Sequence, residues 1–144
     1  MATTATITLT SADIAGDPVN VSKTSTCTKA GTTTDLDQTT GLNRVHLRST
    51  TNKVLLAANA EGNNLAAKVY LINKATDSTL YVTVTINAQT IGKLYADDWM
   101  FIPWSQTDVA ADIEVAATSW TASTGDIPVE YAVFHEDTDL LTDA

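Results

Sequence analysis

A strict two-residue alternation of apolar and polar side chains, repeated along the chain, is the feature that most constrains the fold. In residues 80–86, leucine, valine and isoleucine occupy every second position, and tyrosine and threonine lie between them. Successive side chains of a β-strand point to opposite faces of a sheet, so this pattern predicts strands with one buried face. No segment of helix length shows apolar residues at spacings of three and four. The chain is therefore predicted to be all-β.

The composition agrees with strands joined by turns. Threonine accounts for 26 of the 144 residues, and 13 of the 17 acidic residues are aspartate. Threonine is β-branched and suits strands, whereas aspartate favours turns over helices. A chain of this length buries about two thirds of the surface of its unfolded state, which is enough for one domain with a core of its own.

The alternating segments and the turn residues between them give a strand map. Strands are predicted at residues 5–10, 43–49, 68–73, 80–86, 91–95, 99–104, 113–118 and 129–135. The segment beginning at Lys53 is predicted to be a strand in preference to a short helical turn, and residues 19–31 to be a loose edge strand or loop. The polar residues 75–78 and 96–98 are each predicted to close a β-hairpin.

These elements predict a single-domain antiparallel β-sandwich of about eight strands over residues 1–136. Jelly-roll-like and immunoglobulin-like topologies both fit the strand spacing. Residues 1–10 are predicted to form a strand, or an arm that exchanges by pairing with the sheet of another subunit. Residues 137–144 are predicted to be an acidic C-terminal tail.

The charge and the cysteine content exclude several classes of function. The formal net charge is −9, so direct binding to nucleic acid is not expected without a concentrated basic patch. The lone Cys27 cannot form an intrachain disulfide, which favours a reducing compartment. The longest apolar runs are too short to cross a bilayer, and the N-terminus does not have the pattern of a signal peptide, so no membrane partner is expected.

No constellation for catalysis or cofactor binding is recognised in the sequence. A nucleophile-elbow motif is missing, and the two histidines, His46 and His135, are interpreted as a surface residue and as a solvated partner of Glu136. Acidic pairs such as Asp35 and Asp37 do not have the spacing of a calcium loop. The protein is therefore predicted not to be an enzyme and to have no catalytic, cofactor or metal site.

The aromatic run at residues 99–104 predicts two different faces. Alternation directs Trp99 and Phe101 to one side of the strand and Met100, Ile102 and Trp104 to the other, so one face must be core. The opposite face is interpreted as a subunit interface in preference to a carbohydrate-binding platform. We therefore take Trp99, Phe101 and Trp104 as candidate interface residues.

A basic stripe is predicted on the strand at residues 43–49. Alternation places Arg44, His46 and Arg48 on one exposed face of an otherwise acidic protein. The stripe is either a solvated strand face or a candidate interface that receives the acidic tail or another acidic surface of a neighbouring subunit.

The block from Leu71 to Trp104, LINKATDSTLYVTVTINAQTIGKLYADDWMFIPW, resembles a recurrent pattern of virion structural proteins from tailed bacteriophages. The size, the acidic surface and the threonine and alanine content are similar to those of capsid decoration, or cement, proteins. This resemblance implies a non-enzymatic β-rich subunit that is made in the host cytoplasm and binds the outside of an icosahedral head as part of the virion. It implies as partners a second copy, in a homodimer or homotrimer, and the major capsid protein. A tail-associated component (tube, adaptor or fibre-base domain) and a carbohydrate-binding module, with Trp99, Phe101 or Trp120 as its platform, are the alternatives.

Overall fold

The computed structural model describes residues 2–14, 17–29, 31–58, 66–105 and 111–136, and within them the chain forms eleven β-strands and no helix. The strands are β1 (Thr4–Ile14), β2 (Asp17–Thr26), β3 (Gln38–Thr39), β4 (Asn43–Leu47), β5 (Lys53–Leu56), β6 (Ala66–Asn73), β7 (Tyr81–Ile86), β8 (Gln89–Tyr95), β9 (Trp99–Ser105), β10 (Ile113–Ala116) and β11 (Ile127–His135). In these ranges no helix is long and apolar enough to span a bilayer. The predicted acidic tail, residues 137–144, lies outside the described residues.

Two antiparallel sheets form the sandwich. Sheet I has the strand order β5-β10-β7-β8, and sheet II has the order β4-β11-β6-β9. The short β3 lengthens sheet II by pairing with the last residues of β11. From β4 to β11 the chain changes sheet at every connection except that between β7 and β8. This order is that of an eight-stranded jelly roll, so the structure decides between the two topologies that the sequence left open.

Both hairpins predicted from turn residues are wrong. Strands β6 and β7, which flank residues 75–78, belong to different sheets, as do β8 and β9, which flank residues 96–98. Turn residues mark a reversal of the chain, but they do not determine which sheet the next strand joins. In the jelly roll these two connections cross from one sheet to the other.

The buried Asn73 holds the two crossing connections together. Its side chain is fully buried, and its Nδ2 donates to the carbonyl oxygens of Leu80 at 3.1 Å and Leu94 at 2.9 Å. Its Oδ1 accepts from the Ala75 amide, and its backbone carbonyl accepts from the Asp97 amide. Burying an amide without hydrogen bonds would destabilise the folded state. These bonds therefore fix the ends of β6, β7 and β8 relative to one another.

The hairpin that does form within the sandwich joins β7 to β8. Its turn residues, Asn87 and Ala88, both have positive φ angles, 52° and 58°. Two consecutive residues in this left-handed region are typical of the type I′ turn, whose twist matches that of paired strands. The sequence signal is weak because alanine stands where glycine is preferred.

The core lies between the two sheets and consists mainly of aliphatic side chains. Its most deeply buried members come from β6, β7, β10 and β11, and they are Val69, Leu71, Val82, Val84, Ile113, Val115, Ile127, Val129 and Val133. In each of these strands these deeply buried residues lie two or four positions apart, as the two-residue periodicity predicts. The sandwich is therefore held together by the same side chains that defined its strands in the sequence.

Strands β1 and β2 form a separate two-stranded sheet, here called the ribbon. Residues 19–31 were predicted to be a loose edge strand or loop. Most of this range belongs to β2, a ten-residue strand that pairs along the length of β1. The register sets Leu9 opposite Val21 and Ile7 opposite Lys23, so the aliphatic side chains of both strands share one face. The other face is lined by hydroxyl groups, with Thr6 and Thr24 in hydrogen-bond contact at 2.7 Å.

Backbone hydrogen bonds close the base of the ribbon and join it to the segment before β3, and one ion pair joins it to the end of β11. The Cys27 amide donates to the Thr3 carbonyl at 2.8 Å, and the Leu36 amide donates to the Cys27 carbonyl at 2.9 Å. Lys29 Nζ lies 2.6 Å from Oε1 of Glu136, just after β11, and the Glu136 side chain is only 6% exposed. The ribbon therefore starts from an ordered attachment and not from a free chain end.

Candidate functional site

A groove of about 560 Å³ opens where the ribbon meets the outer face of sheet II. Its lining residues come from the base of the ribbon, mainly from its aliphatic face, and from β6 and β9. They are Ala5, Thr6, Ile7, Lys23, Ser25, Tyr70, Trp99 and Phe101. Its volume is in the range of ligand-binding clefts, and its walls are mainly apolar.

Aromatic side chains on the outer face of sheet II form one wall of the groove. The register places Tyr70 of β6 between Phe101 of β9 and Ala132 of β11, so the wall crosses three adjacent strands. Phe101 and Phe134 meet edge to face with ring centroids 6.2 Å apart. Trp99 remains 50% exposed at the end of this wall. Exposed aromatic area of this kind is typical of a surface that is covered by a partner.

The structure places some of the predicted aromatic interface residues on the surface and one in the core. Trp99 and Phe101 lie together on the outer wall, but Trp104 is a core residue, 3% exposed, whose Nε1 donates to the Ala111 carbonyl at 2.6 Å. Its inclusion as an interface residue is therefore wrong, because alternation sends it into the sandwich with Met100 and Ile102. Trp120, considered as a sugar platform, is half-buried against the core.

The predicted basic stripe is present on the outer face of β4, but its charges are already paired within the chain. Arg44 contacts the Glu130 carboxylate, its cross-strand neighbour on β11. Arg48 donates from Nε and Nη2 to the two carboxylate oxygens of Asp126, at 2.6 and 2.8 Å. His46 Nδ1 lies 3.8 Å from the same carboxylate.

These contacts change the electrostatics of the stripe. Hydrogen bonds from Arg48 hold the pKa of Asp126 below its ordinary value, and the positive charges of Arg48 and His46 act in the same direction. An acidic tail from a neighbour would have to displace carboxylates that already satisfy the two arginines. The stripe therefore supports a role in joining β4 to β11 and the preceding turn better than a role as an acceptor of acidic surfaces.

His135 is buried and not solvated. It is 3% exposed, and its Nδ1 lies 3.0 Å from the Glu136 carbonyl oxygen. Because a carbonyl oxygen can only accept, Nδ1 carries the hydrogen and donates the hydrogen bond. The Glu136 carboxylate pairs with Lys29 instead of the imidazole. The prediction of a solvated His135–Glu136 pair is wrong because both residues are buried and the carboxylate pairs with Lys29 at the base of the ribbon.

The acidic, histidine and cysteine side chains in the described part of the chain offer few groups for metal binding or thiol reactivity. Across those residues, no three His, Cys, Asp or Glu side chains are grouped closely enough to hold a metal ion. Cys27 is buried beside the ribbon base, and this burial raises the pKa of its thiol, although the positive charge of Lys68 opposes the shift. The features with the clearest potential for recognition are therefore the groove and the ribbon.

Sequence reasoning identified part of this site. It found Trp99, Phe101 and the alternation of β1, but it missed β2, Lys23 and Tyr70. The signal for β2 was present, since Val19, Val21 and Lys23 alternate with polar residues, but two valines alone are a weak strand pattern. The approach of the ribbon to β6 and β9 is a tertiary contact between distant segments, which alternation does not encode.

The chain matches no family model, no curated protein and no solved structure.

Proposed function

We propose that the protein is a non-enzymatic structural protein of a tailed-phage virion, a decoration or cement subunit that binds the outer capsid surface. The observation that carries this proposal is the apolar ribbon that extends from a well-packed jelly roll and borders an aromatic groove. Leu9 on the ribbon and Trp99 in the groove are each 50% exposed. Side chains of this kind, grouped on one side of a small protein, are expected to be covered when the protein assembles.

A capsid decoration protein binds and reinforces the capsid and needs to catalyse no reaction. Many copies on a repeating lattice gain avidity from contacts that are individually weak, so a modest apolar surface is sufficient. In the assembled virion a second copy and the major capsid protein would together cover the apolar surface, and the acidic surface of the sandwich would keep the free subunit soluble. Jelly rolls occur in viral capsid domains and in lectins. That analogy is compatible with the proposal but does not select it, since one fold serves many functions.

The test is co-sedimentation with heads and, separately, with tails purified from the encoding phage, after bound accessory proteins have been removed. We expect the protein to pellet with heads and to saturate at a fixed ratio to the capsid protein. Saturated heads should also release their DNA at a higher temperature. Binding to tails alone would favour a tail-associated component, and binding to neither would overturn the proposal.

Two exposed aromatic residues provide a matched pair for this assay. Trp99, 50% exposed, lies in the groove, whereas Tyr95, 42% exposed, lies on β8 of the opposite sheet. Trp99→Asp should weaken head binding by more than about tenfold, because a charge enters an apolar contact. Tyr95→Asp should leave the binding unchanged. Equal affinities for the two variants would show that the groove takes no part in assembly on the head.

A carbohydrate-binding module is the second candidate function, and the composition of the groove supports it. Trp99 lies beside Tyr70 and Phe101, and the polar residues Ser25 and Lys23 line the same groove. Aromatic faces that stack on a sugar ring next to hydrogen-bonding groups are typical of such sites. A glycan array, followed by titration of tryptophan fluorescence with any sugar that binds, tests it. A response that is lost in Trp99→Ala would support this candidate, and an array without binding would exclude the glycans tested.

A further inference from the structure

The two faces of the ribbon differ sharply in polarity, and the apolar face is exposed within the part of the chain that the structure describes. On that face Ile7, Leu9, Val19 and Val21 are 40%, 50%, 37% and 47% exposed. The hydroxyl-lined face needs no cover, because its groups can bind water. A two-stranded hairpin is at best marginally stable in water by itself, so a ribbon this long is expected to gain stability from a partner on its apolar side.

The distribution of charge favours a second copy as that partner. The chain carries a net charge of −9, so most surfaces of two copies repel each other. The ribbon is less acidic than the rest of the chain, because the carboxylates of its two strands are confined to Asp13 and Asp17 near the tip, and residues 18–34 carry two lysines. Contact through the middle and base of two ribbons therefore meets less charge repulsion than contact through the acidic surface of the sandwich.

The geometry of the ribbon is self-complementary. The groove lies beside the base of the ribbon, at Ala5 and Ile7 of β1 and the facing Lys23 of β2. The next aliphatic pair, Leu9 and Val21, lies one repeat of the alternation farther out, about 7 Å along the strand, towards the tip. If two ribbons cross with a twofold axis between them, the outer half of each reaches the groove of the other. This is the reciprocal pattern that an isologous dimer requires.

The area of the apolar face indicates that the groove must take part. A ribbon of this length is roughly 33 Å long and about 10 Å wide, so two faces in contact bury about 600 Å². An interface of standard size buries roughly 1,200 Å² or more in total. The aromatic walls that contain Trp99 are the adjacent apolar surface able to enlarge the contact.

We propose that two copies of this chain dimerise through their ribbons, with Leu9 and Val21 of each copy seated in the groove that Ile7 and Trp99 border in the other. The inference rests on the part of the proposed function that treats the chain as an assembling subunit, and it does not require a capsid. It also replaces the arm exchange predicted from residues 1–10. Strand β1 already pairs with β2 of its own chain, so the contact uses the face of the ribbon.

The test compares two charged substitutions at neighbouring positions of β1. Leu9→Glu places a carboxylate on the apolar face, and Thr10→Glu places the same charge on the hydroxyl-lined face of the same strand. Sedimentation equilibrium from about 1 to 200 µM should show a dimer for the wild type and for Thr10→Glu. Leu9→Glu should raise the dissociation constant by more than tenfold. Near-UV circular dichroism, which reports the packing of the sandwich, should be the same for all three proteins.

A second readout follows the groove directly. Trp99 is half exposed in the single chain, so its emission should shift to the blue as the wild type dimerises. The shift should be lost in Trp99→Phe, whose remaining tryptophans, Trp104 and Trp120, lie against the core of the sandwich. It should also be lost in Leu9→Glu at the same concentration.

The remaining outcomes separate this inference from the proposed function. A wild type that stays monomeric at 200 µM, a trimer, or equal loss of dimer in both charged variants would overturn the inference. If the wild type is monomeric and Leu9→Glu abolishes binding to heads, the ribbon faces the capsid protein, so the function stands and the inference fails. If the dimer behaves as inferred but does not bind heads, the inference stands and the proposed function fails.

Discussion

Strands β1 and β7 have the same alternation in the sequence, but their apolar side chains differ in burial in the structure. In β7 the alternating residues Val82 and Val84 are completely buried between the two sheets. In β1 the alternating residues Ile7 and Leu9 are 40% and 50% exposed on the ribbon. Alternation therefore identifies a strand and the residues that share its face. Whether that face is covered depends on what the rest of the chain places against it.

The largest expected difference between these two regions is in the effect of removing aliphatic volume. Ile113→Ala, at a core position that is 1% exposed, should lower the free energy of unfolding by about 3 kcal/mol, through lost burial and the cavity it leaves. Ile7→Ala on the ribbon should lower it by less than about 1 kcal/mol at dilute concentration. Urea denaturation of both variants measures this. Equal losses would mean that the ribbon is part of the cooperative core.

The buried amide of Asn73 should matter more than an exposed amide that makes a similar contact. Asn73→Ala removes two donors and one acceptor that satisfy buried backbone groups, so it should lower the free energy of unfolding by about 3 kcal/mol. Asn43→Ala, which removes an exposed bond to the Gly41 carbonyl, should lower it by less than about 1 kcal/mol. Thermal unfolding of the two variants compares them. Similar melting temperatures would show that the crossing connections are held by packing alone.

The ion pair at the ribbon base should determine how firmly the ribbon is attached to the sandwich. Lys29→Met leaves the Glu136 carboxylate buried without its partner, so it should lower the free energy of unfolding by about 2 kcal/mol. It should also speed hydrogen exchange at the Cys27 and Leu36 amides more than in β7. Lys53→Met, at an exposed position of β5 in the sandwich, is the control for loss of a lysine charge and should change neither the free energy of unfolding nor these exchange rates. Uniform acceleration in all strands would indicate that ribbon and sandwich unfold as one unit.

The smallest effect is expected at the exposed pair of Arg48 and Asp126, and it should depend on pH. The pKa of Asp126 is lowered in the folded state, so its contribution to stability is present above the ordinary pKa of an aspartate and is lost as the pH falls through the lowered value. Asp126→Asn should therefore be less stable than the wild type at pH 7, and the two should converge at strongly acidic pH. Urea midpoints at both pH values measure this. A difference that persists in acid would assign the effect to packing.

The sequence predicted most of what depends on local pattern. The segment at residues 43–49 contains β4, its arginines and histidine lie outward as expected, and the run at residues 99–104 has a buried and an exposed face. These features depend only on the alternation of side chains along one strand. They are therefore readable without knowledge of what the strand pairs with.

The remaining features depend on partners that are distant in the sequence. Turn residues at 75–78 and 96–98 were assigned to hairpins because consecutive strands often pair, whereas in the jelly roll they connect the two sheets. The Glu136 carboxylate was assigned to His135 because its actual partner, Lys29, comes from more than a hundred residues earlier in the chain. The groove was missed for the same reason. Its two walls approach each other only in the folded chain.

The break between β3 and β4 has a consequence for behaviour at high concentration. Both strands pair with β11, but they are separated by Gly41, whose φ angle of +78° interrupts the extended backbone. The edge of sheet II opposite β9 is thus divided into segments of two and five residues. Edges this short are poor templates for the stacking of identical chains into amyloid-like fibrils. Even where many copies are crowded together, this edge of the sandwich should therefore resist aggregation.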